Sequence, residues 1–569
     1  MAARFELRDS RRLTGPNVLW ERPGPVIDVA LAGAGAGAGA AAEGAWLLRV
    51  RPMLEAVGWG AEETVSRRFP GGLSLAFSAP VDALYAACEL NELAWAAAAA
   101  DLGAGEAPDV PAGLERIRAE IRAERNPPLL RLRRAAARRG QLFLSCDDQV
   151  SVGAGRGSRS WPVKRLPEAE DVDWSQVASV PTAMITGTNG KTTTVRLLKA
   201  MADAAGKVPG LSTTDWLRVG DHVLDRGDWS GPGGARAILR HPRVEVALLE
   251  TARGGMLRRG LGLGPGEADV VLITNIAPDH LGEWGIQDLD MLADTKFVIR
   301  HAGRSVVLNA DDPKSVERAG LVHQPLSWFS LDAASPVVAA HLAAGGSAAV
   351  LRGAELCWCE GGEVRPLTEV GSLPFTLGGA ARYNVANALA AVAVAKRLGL
   401  GEAAIGAGLR AFRSDAGDNP GRLNRFEVDG AQVLVDFAHN PHGLEALLEM
   451  TATMPAERRL LTLGHAGDRD DQALRELARV AGRSGMDRII IKEQEVHLRG
   501  RALGEIPAIL ERALVEDGYP AARIGHAADE LEATEQALAW ARPGDLLLLL
   551  TLAQRQEVLE RLQALARPG

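Results

Sequence analysis

The sequence predicts an α/β protein: a doubly wound parallel sheet at the centre, a smaller α/β unit after it and an α+β unit before it. Three observations carry this prediction. From Val180 onward, short apolar runs alternate with helix-length stretches. The first such run leads through a glycine-rich turn directly into a helix. No repeat of 20 to 50 residues is visible, which excludes a solenoid. The chain has 569 residues, enough for three or more domains, and boundaries are expected at 1–165, 166–418 and 419–569.

In the first unit, Gly33 to Ala42 (GAGAGAGAAA) reads as a loop or turn insertion between strands. Leu84 to Leu102 is rich in helix formers, and Leu114 to Arg139 is helical with a break at Asn126-Pro127-Pro128. The stretch Ser151 to Pro162 is glycine-rich and carries Arg156 and Arg159, with Lys164 and Arg165 behind it. It reads either as a site for an acidic chain or as a solvated loop leading into a linker. In the second unit VPTAMIT is a strand, Gly187 to Lys191 the turn, and the following helix stops at Gly206. Further buried strands are predicted at Val244 to Leu249, Val270 to Thr274 and Ser305 to Leu308. The third unit, from Asn419, repeats the alternation with strands VLVDFA, RLLTLG, DRIIIK and DLLLLLT.

Composition narrows the function classes. Hydrophobic residues make up 47%, charged residues 24%, and the formal charge is -8. This excludes a disordered, fibrous or nucleic-acid-coating chain. No run of 18 apolar residues appears and MAARFELRDS is charged, so neither a membrane span nor export is indicated and a cytoplasmic location is expected. Four cysteines (Cys88, Cys146, Cys357, Cys359) are too few for a disulfide framework, and the single Cys-x-Cys lacks the second ligand pair of a structural zinc site.

The strongest local signal is Gly187-Thr188-Asn189-Gly190-Lys191-Thr192-Thr193 between a strand and a helix. Backbone N–H groups of such a turn and the positive end of the helix dipole receive a triphosphate. Lys191 neutralises its terminal oxygens, and the Thr192 hydroxyl reaches Mg²⁺. ATP and Mg²⁺ are therefore the expected cofactors. The loop is shorter than the general phosphate loop, since Ile185 stands where that form has its first glycine. Glu250 ends one strand and Asp279-His280 follows another, the strand ends where ligands bind in doubly wound sheets. Glu250 with Thr192 suits a hard cation, with His280 in support.

As a set, GTNGKTTT, the glutamate of ETARGG, NIAPDHLGEWG with Lys296 after it, LNADD, YNVANALAA, NPGR and DFAHNPHG resemble the Mur ligase family, in the family's order from Val180 to the C-terminus. ARGG, DNPGRLN, GDRDD and LRGR resemble the Mur-like module of the cyanophycin synthetase type. LTGPNVLW, LYAACELNELAW and DDQVSVGAGRGS resemble that type's N-terminal domain. The type has an ATP-grasp domain in between; here about 25 residues link Ser160 to the phosphate loop, too few for a domain.

The resemblance implies an ATP-dependent, ADP-forming amide ligase that activates a carboxylate as an acyl phosphate for attack by an amine. It implies catalytic roles for Lys191, Glu250, His280 and Lys296. Thr192, Glu250 and His280 would hold Mg²⁺, joined by Lys296 if carbamylated. Nucleotide contacts are implied for Gly187 to Thr193, Asn275, Asn384, Asn387, Arg422 and Asp436. Substrate contacts are implied for Arg253, His439, Asn440, Asp468, Arg469, Lys492, Glu493, Arg499 and Arg501. The acceptor would be an acidic, aspartyl-rich peptide or polymer and the amine an amino acid or another amine, without nucleic acid or membrane; related synthetases of this type assemble into homo-oligomers.

Three positions depart from the pattern: Gln494 replaces an acidic residue, and Phe437 and His442 replace the usual Tyr and Ala. A guanidinium substrate needs facing carboxylates, so the amine stays open. Two other readings stand beside the ligase. One is a non-catalytic, nucleotide-binding scaffold for a separate ATP-grasp enzyme. The other gives the N-terminal unit its own chemistry through Glu89 and Glu92, which also fit the exposed stripe of a helix.

Overall fold

The computed structural model describes residues 4–32 and 37–566, which form four sheets. The N-terminal unit opens with an antiparallel sheet in the order Arg4–Leu13, Gly24–Ala32, Gly72–Phe77, Thr64–Phe69. Helices Ala38–Ala56 and Leu84–Asp101 cover it through Trp46, Phe77 and Leu90. Asn91, buried in that core, accepts from Trp46 Nε1 at 2.9 Å and donates to the Leu75 carbonyl at 3.1 Å, so its polarity is satisfied. The predicted break falls between helices Val110–Glu124 and Pro127–Arg138. The side chain of Asn126 caps the second one and proline fills its first turn.

Two expectations for this unit are corrected. The glycine-alanine run is not all loop: the helix begins at Ala38, because only the alternating glycines oppose it and they end at Gly39. Residues 33–36 of that run lie outside the described residues. The basic stretch Ser151 to Pro162 is only partly loop: residues 153–158, with Arg156, form a turn between two strands. It forms the end of strand Gln149–Val152 and all of strand Arg159–Pro162, in a three-stranded sheet with Phe143–Ser145. Its Arg156 pairs with Glu245 at 2.7 Å.

The central sheet has eleven strands. Seven are parallel, in the order Pro209–Ser212, Val246–Glu250, Thr182–Thr186, Val270–Ile273, Val306–Asn309, Leu326–Ser330, Ser347–Arg352. Antiparallel strands extend both edges: Trp216–Val219 and His222–Arg226 on one side, Glu355–Glu360 and Glu363–Glu369 on the other. The parallel strands are buried on both faces, which is why they read as unbroken apolar runs. Helices Lys191–Ala204 and Arg382–Arg397 pack on one face, Pro232–Arg240 and Leu289–Phe297 on the other.

The C-terminal sheet runs Asn424–Val428, Ala431–Asp436, Leu546–Leu550, Arg459–Leu463, Arg488–Lys492, Ile524–Ala527, parallel after its first hairpin. Helices Pro441–Thr453, Asp471–Gly482 and Glu505–Glu516 cover one face; Glu530–Trp540 and Arg555–Leu565 cover the other. All four cysteines are free, and no helix among the described residues is long and apolar enough to cross a membrane.

Candidate active site

The central strand Thr182–Thr186 delivers the phosphate loop to the C-terminal edge of the parallel strands. Gly187 (φ 144°) and Gly190 (φ 83°) hold left-handed backbone. Both are also crowded: a Cβ on Gly187 would stand 1.8 Å from Thr274 Oγ1, and one on Gly190 2.1 Å from Asn387 Oδ1. Asn275 fixes the loop, accepting from the Thr188 N–H on its carbonyl (2.9 Å) and from the Asn189 N–H on its side chain (3.0 Å). The Lys191 ammonium folds back onto the carbonyls of Gly187 (3.0 Å) and Thr188 (2.9 Å).

At the next residue, the Thr192 hydroxyl donates to Glu250 Oε2 at 3.0 Å. Glu250 is 2% exposed, and its hydrogen-bond partners among the described residues are that hydroxyl and the N–H of Thr214. Burial raises its pKa, with Lys191 opposing. A buried carboxylate without a cation in hydrogen-bonding contact, next to a hydroxyl, is a donor set that fits a hard divalent ion. Thr192 and Glu250 are thus the residues that would hold Mg²⁺, which would spread the charge of bound phosphates.

Lys296, on helix Leu289–Phe297, is 4% exposed. Burial first, and the nearby Lys191 second, bring its pKa down to about 7. His280 has a left-handed backbone (φ 52°), with Nδ1 2.8 Å from Glu283 Oε1. Arg469 of the C-terminal unit lies 2.7 Å from both ring nitrogens of His280 and donates to Asp279 at 3.1 Å. Burial alone would raise Asp279, yet His439, His280 and Arg469 hold it well below the usual carboxylate range.

The C-terminal unit closes this ground from the other side. Asp436 ends its strand and accepts the N–H groups of Leu423 (2.8 Å) and Ala438 (2.9 Å). Burial raises its pKa and depresses that of Arg422, whose guanidinium carbon lies 4.0 Å from the Phe437 ring centroid. One cavity of about 1340 Å³ results, walled by both units.

Of the residues singled out in the sequence, Gly187 to Thr193, Glu250, Arg253, Asn275, His280, Lys296, Asn384, Asn387, Arg422, Asp436, His439 and Arg499 line that cavity. Asn384 and Asn387 face it with part of their amides engaged, one on the Phe375 carbonyl and one on Asn384. Arg253 pairs with Glu283 at 2.6 Å, and Asn440 bonds to Asn189. Asp468 is exposed beside Arg469.

Asn440, Asp468 and Arg469 do not line the cavity, and Lys492, Glu493 and Arg501 are corrected, since none reaches its wall. Lys492 is buried against Glu530 at 2.7 Å. Glu493 accepts the N–H of Gly504 at 2.6 Å, and Arg501 is held by Asp471 (2.9 Å) and Glu505 (2.7 Å). Their charges are satisfied inside their own unit. Glu89 lies with Arg116 at 3.4 Å on the N-terminal helices, away from the cavity. Sequence reasoning missed Thr214, Asp215, Glu283 and Arg555, all of which line the cavity. The strand-end turn STTDW was the available signal for the first two.

Comparison with known proteins agrees with this architecture. The Mur ligase middle domain matches residues 185–395, and the Mur ligase glutamate ligase domain matches residues 421–551. Cyanophycin synthetase of Trichormus variabilis is 37% identical over 378 residues, 66% of this chain and 41% of that protein. The chain thus spans less than half the length of that relative. The UDP-N-acetylmuramoyl-L-alanyl-D-glutamate--2,6-diaminopimelate ligase of Geobacter metallireducens is 29% identical over 403 residues, 65% of this chain and 73% of the relative. A solved structure of MurF from Acinetobacter baumannii aligns over 68% of this chain and 76% of its own, at 19% identity and a TM-score of 0.48. With both domains matched in tandem over more than half its length, the chain belongs to the Mur ligase family.

Proposed function

We propose that this protein is an ATP- and Mg²⁺-dependent amide ligase that joins the carboxylate of an acidic, aspartyl-rich peptide to an amine. The observation that carries this reading is the meeting of the phosphate loop, Glu250, Lys296 and the segment 436–439 around one cavity. The γ-phosphoryl group would pass to the acceptor carboxylate and ADP would leave. The amine would then attack the acyl carbon, displacing phosphate and losing a proton.

The chain's own residues serve these steps by position. Lys191 and the loop N–H groups neutralise the transferring phosphoryl group, where preorganised charge contributes most. Closure by the C-terminal unit keeps water from the acyl phosphate. Arg253, Arg258 and Arg259 at the cavity suit an acceptor rich in carboxylates. Similarity to cyanophycin synthetase, 37% identical over 66% of this chain, supports the aspartyl class. Gln494 is buried against Glu530 and is not part of the cavity lining.

The test is phosphate release from ATP and Mg²⁺ across aspartyl and glutamyl peptides crossed with amino acids and diamines, with product masses measured. Release that requires one acceptor and one amine, with the mass of their condensation, is expected. ATP binding with silence across the panel would instead favour a scaffold that serves a separate ATP-grasp enzyme.

A further inference from the structure

One carboxylate joins the two units behind the cavity. Asp215, in the turn after strand Pro209–Ser212, accepts from Arg196 of the phosphate-loop helix and from Arg555 Nη2 at 2.7 Å. The two side chains from the central unit are buried, at 2% and 6% exposure; Arg555, from the C-terminal unit, is 24% exposed and also lines the cavity. Burial alone would raise Asp215, yet Arg196, Arg422 and Arg555 hold its pKa down to about 2, so it is ionised at any working pH.

Each end of this contact is anchored. Arg555 begins the last helix, and the residues before it are pinned by Glu530, which accepts the N–H groups of Leu552 (2.7 Å), Ala553 (3.2 Å) and Gln554 (2.8 Å). Lys492 neutralises Glu530. At the other end, Asp215 follows Thr214, whose hydroxyl lies 3.4 Å from Thr192 Oγ1 and whose N–H donates to Glu250 Oε2 at 3.4 Å. A chain of contacts therefore runs from the last helix of the C-terminal unit to the Thr192–Glu250 pair.

The chemistry of the shared carboxylate makes the contact reversible. When Arg555 withdraws, Asp215 keeps Arg196, so this contact parts without leaving a bare buried charge and loses one of its two ion pairs. We infer that Asp215 and Arg555 are positioning residues that latch the C-terminal unit shut and, through Thr214, set the Thr192–Glu250 cation site in the closed form. This rests on the ligase reading for its metal arm only; the latch itself is a statement about the two units.

The full-length chain carrying Arg555→Gln, Asp215→Asn, both, or Arg555→Lys tests it, with small-angle scattering and with ATP titrations in the presence and absence of Mg²⁺. Each single change is expected to enlarge the particle, and the double change to enlarge it no further. Arg555→Lys should stay compact. The factor by which Mg²⁺ tightens ATP binding should fall by roughly tenfold in Arg555→Gln, an ordinary coupling between two sites. Asp215→Asn strands Arg196, so the exposed-side Arg555 variants decide the outcome if that protein fails to fold. Wild-type compactness in Arg555→Gln, or an unchanged magnesium factor in an expanded variant, overturns the proposal. A wild-type chain that binds no ATP would sink the ligase reading instead, and the scattering arm would still decide the latch.

Discussion

Asn189 of the phosphate loop and Asn440 of the C-terminal unit exchange two amide hydrogen bonds, at 3.1 and 2.9 Å. The same Asn440 oxygen caps helix Pro441–Thr453 by accepting the N–H of Gly443 at 2.9 Å. Capping and closure thus share a side chain, and substitution separates them. Asn440→Asp keeps the cap but cannot donate to Asn189. Its thermal midpoint should match the wild type while KM for ATP rises about fivefold to tenfold, the worth of about one lost hydrogen bond. Asn440→Ala should add a loss of about 1 kcal/mol in stability from the missing cap. An Asp variant with wild-type KM would refute the closing role.

Lys296 should be the pH-sensitive group of the site. With its pKa near 7 against 10.5 unfolded, the folded chain binds fewer protons than the unfolded one across that window. Stability contributed at this position therefore rises from about pH 7 to 10.5, and its deficit is complete below 7. The neutral amine is also the form that adds CO₂. Turnover should increase with bicarbonate, with a carbamate carbon visible by ¹³C NMR. Lys296→Met should melt higher at pH 7 and turn over slowly. A melting point unmoved by the substitution at that pH would contradict the depressed pKa.

Lys492 is expected to matter for stability rather than for substrate choice. Removing it leaves Glu530 buried without its cation, so Lys492→Met should lose about 3 to 5 kcal/mol in denaturant unfolding. Burial would raise Glu530, but Lys492 outweighs it and lowers the pKa. The stability carried by that ionised carboxylate is lost as pH falls through the lowered value. Acid unfolding should begin at higher pH in the variant. Wild-type stability with an altered amine preference would return Lys492 to the substrate surface.

Lys191→Ala should abolish ATP-coupled condensation, by at least about a hundredfold in kcat, with circular dichroism unchanged. Its ammonium touches two loop carbonyls and no buried carboxylate, so little of the fold depends on it. Normal ligation by that variant would eliminate the proposed chemistry.

What the sequence revealed follows from which contacts are local. The phosphate loop was legible because strand, turn and helix are consecutive and each glycine answers a local demand on backbone angle. The parallel strands were legible because burial on both faces leaves an apolar run. The antiparallel edges were not, since strands such as Glu363–Glu369 are mostly exposed and carry no such run. Lys492 was misread because a charge at a strand end resembles a solvated one until its partner, 38 positions away, is placed beside it. The Asp215–Arg555 contact spans 340 positions and has no local trace.

The way the N-terminal unit is attached has a consequence for how such chains are assembled. Its contacts with the rest do not depend on the connecting segment: Thr14 N–H donates to the Arg259 carbonyl, Leu261 N–H to that of Pro16, and Arg240 reaches Ser151. The stretch from Pro162 to Arg165, between the small sheet and the central one, is mostly exposed, with Lys164 and Arg165 both in solvent. A polypeptide spliced in at that corner would leave the stitched faces on either side intact. The corner is a natural seam, where added sequence would lengthen the connection while the two neighbouring units keep the same grip on one another.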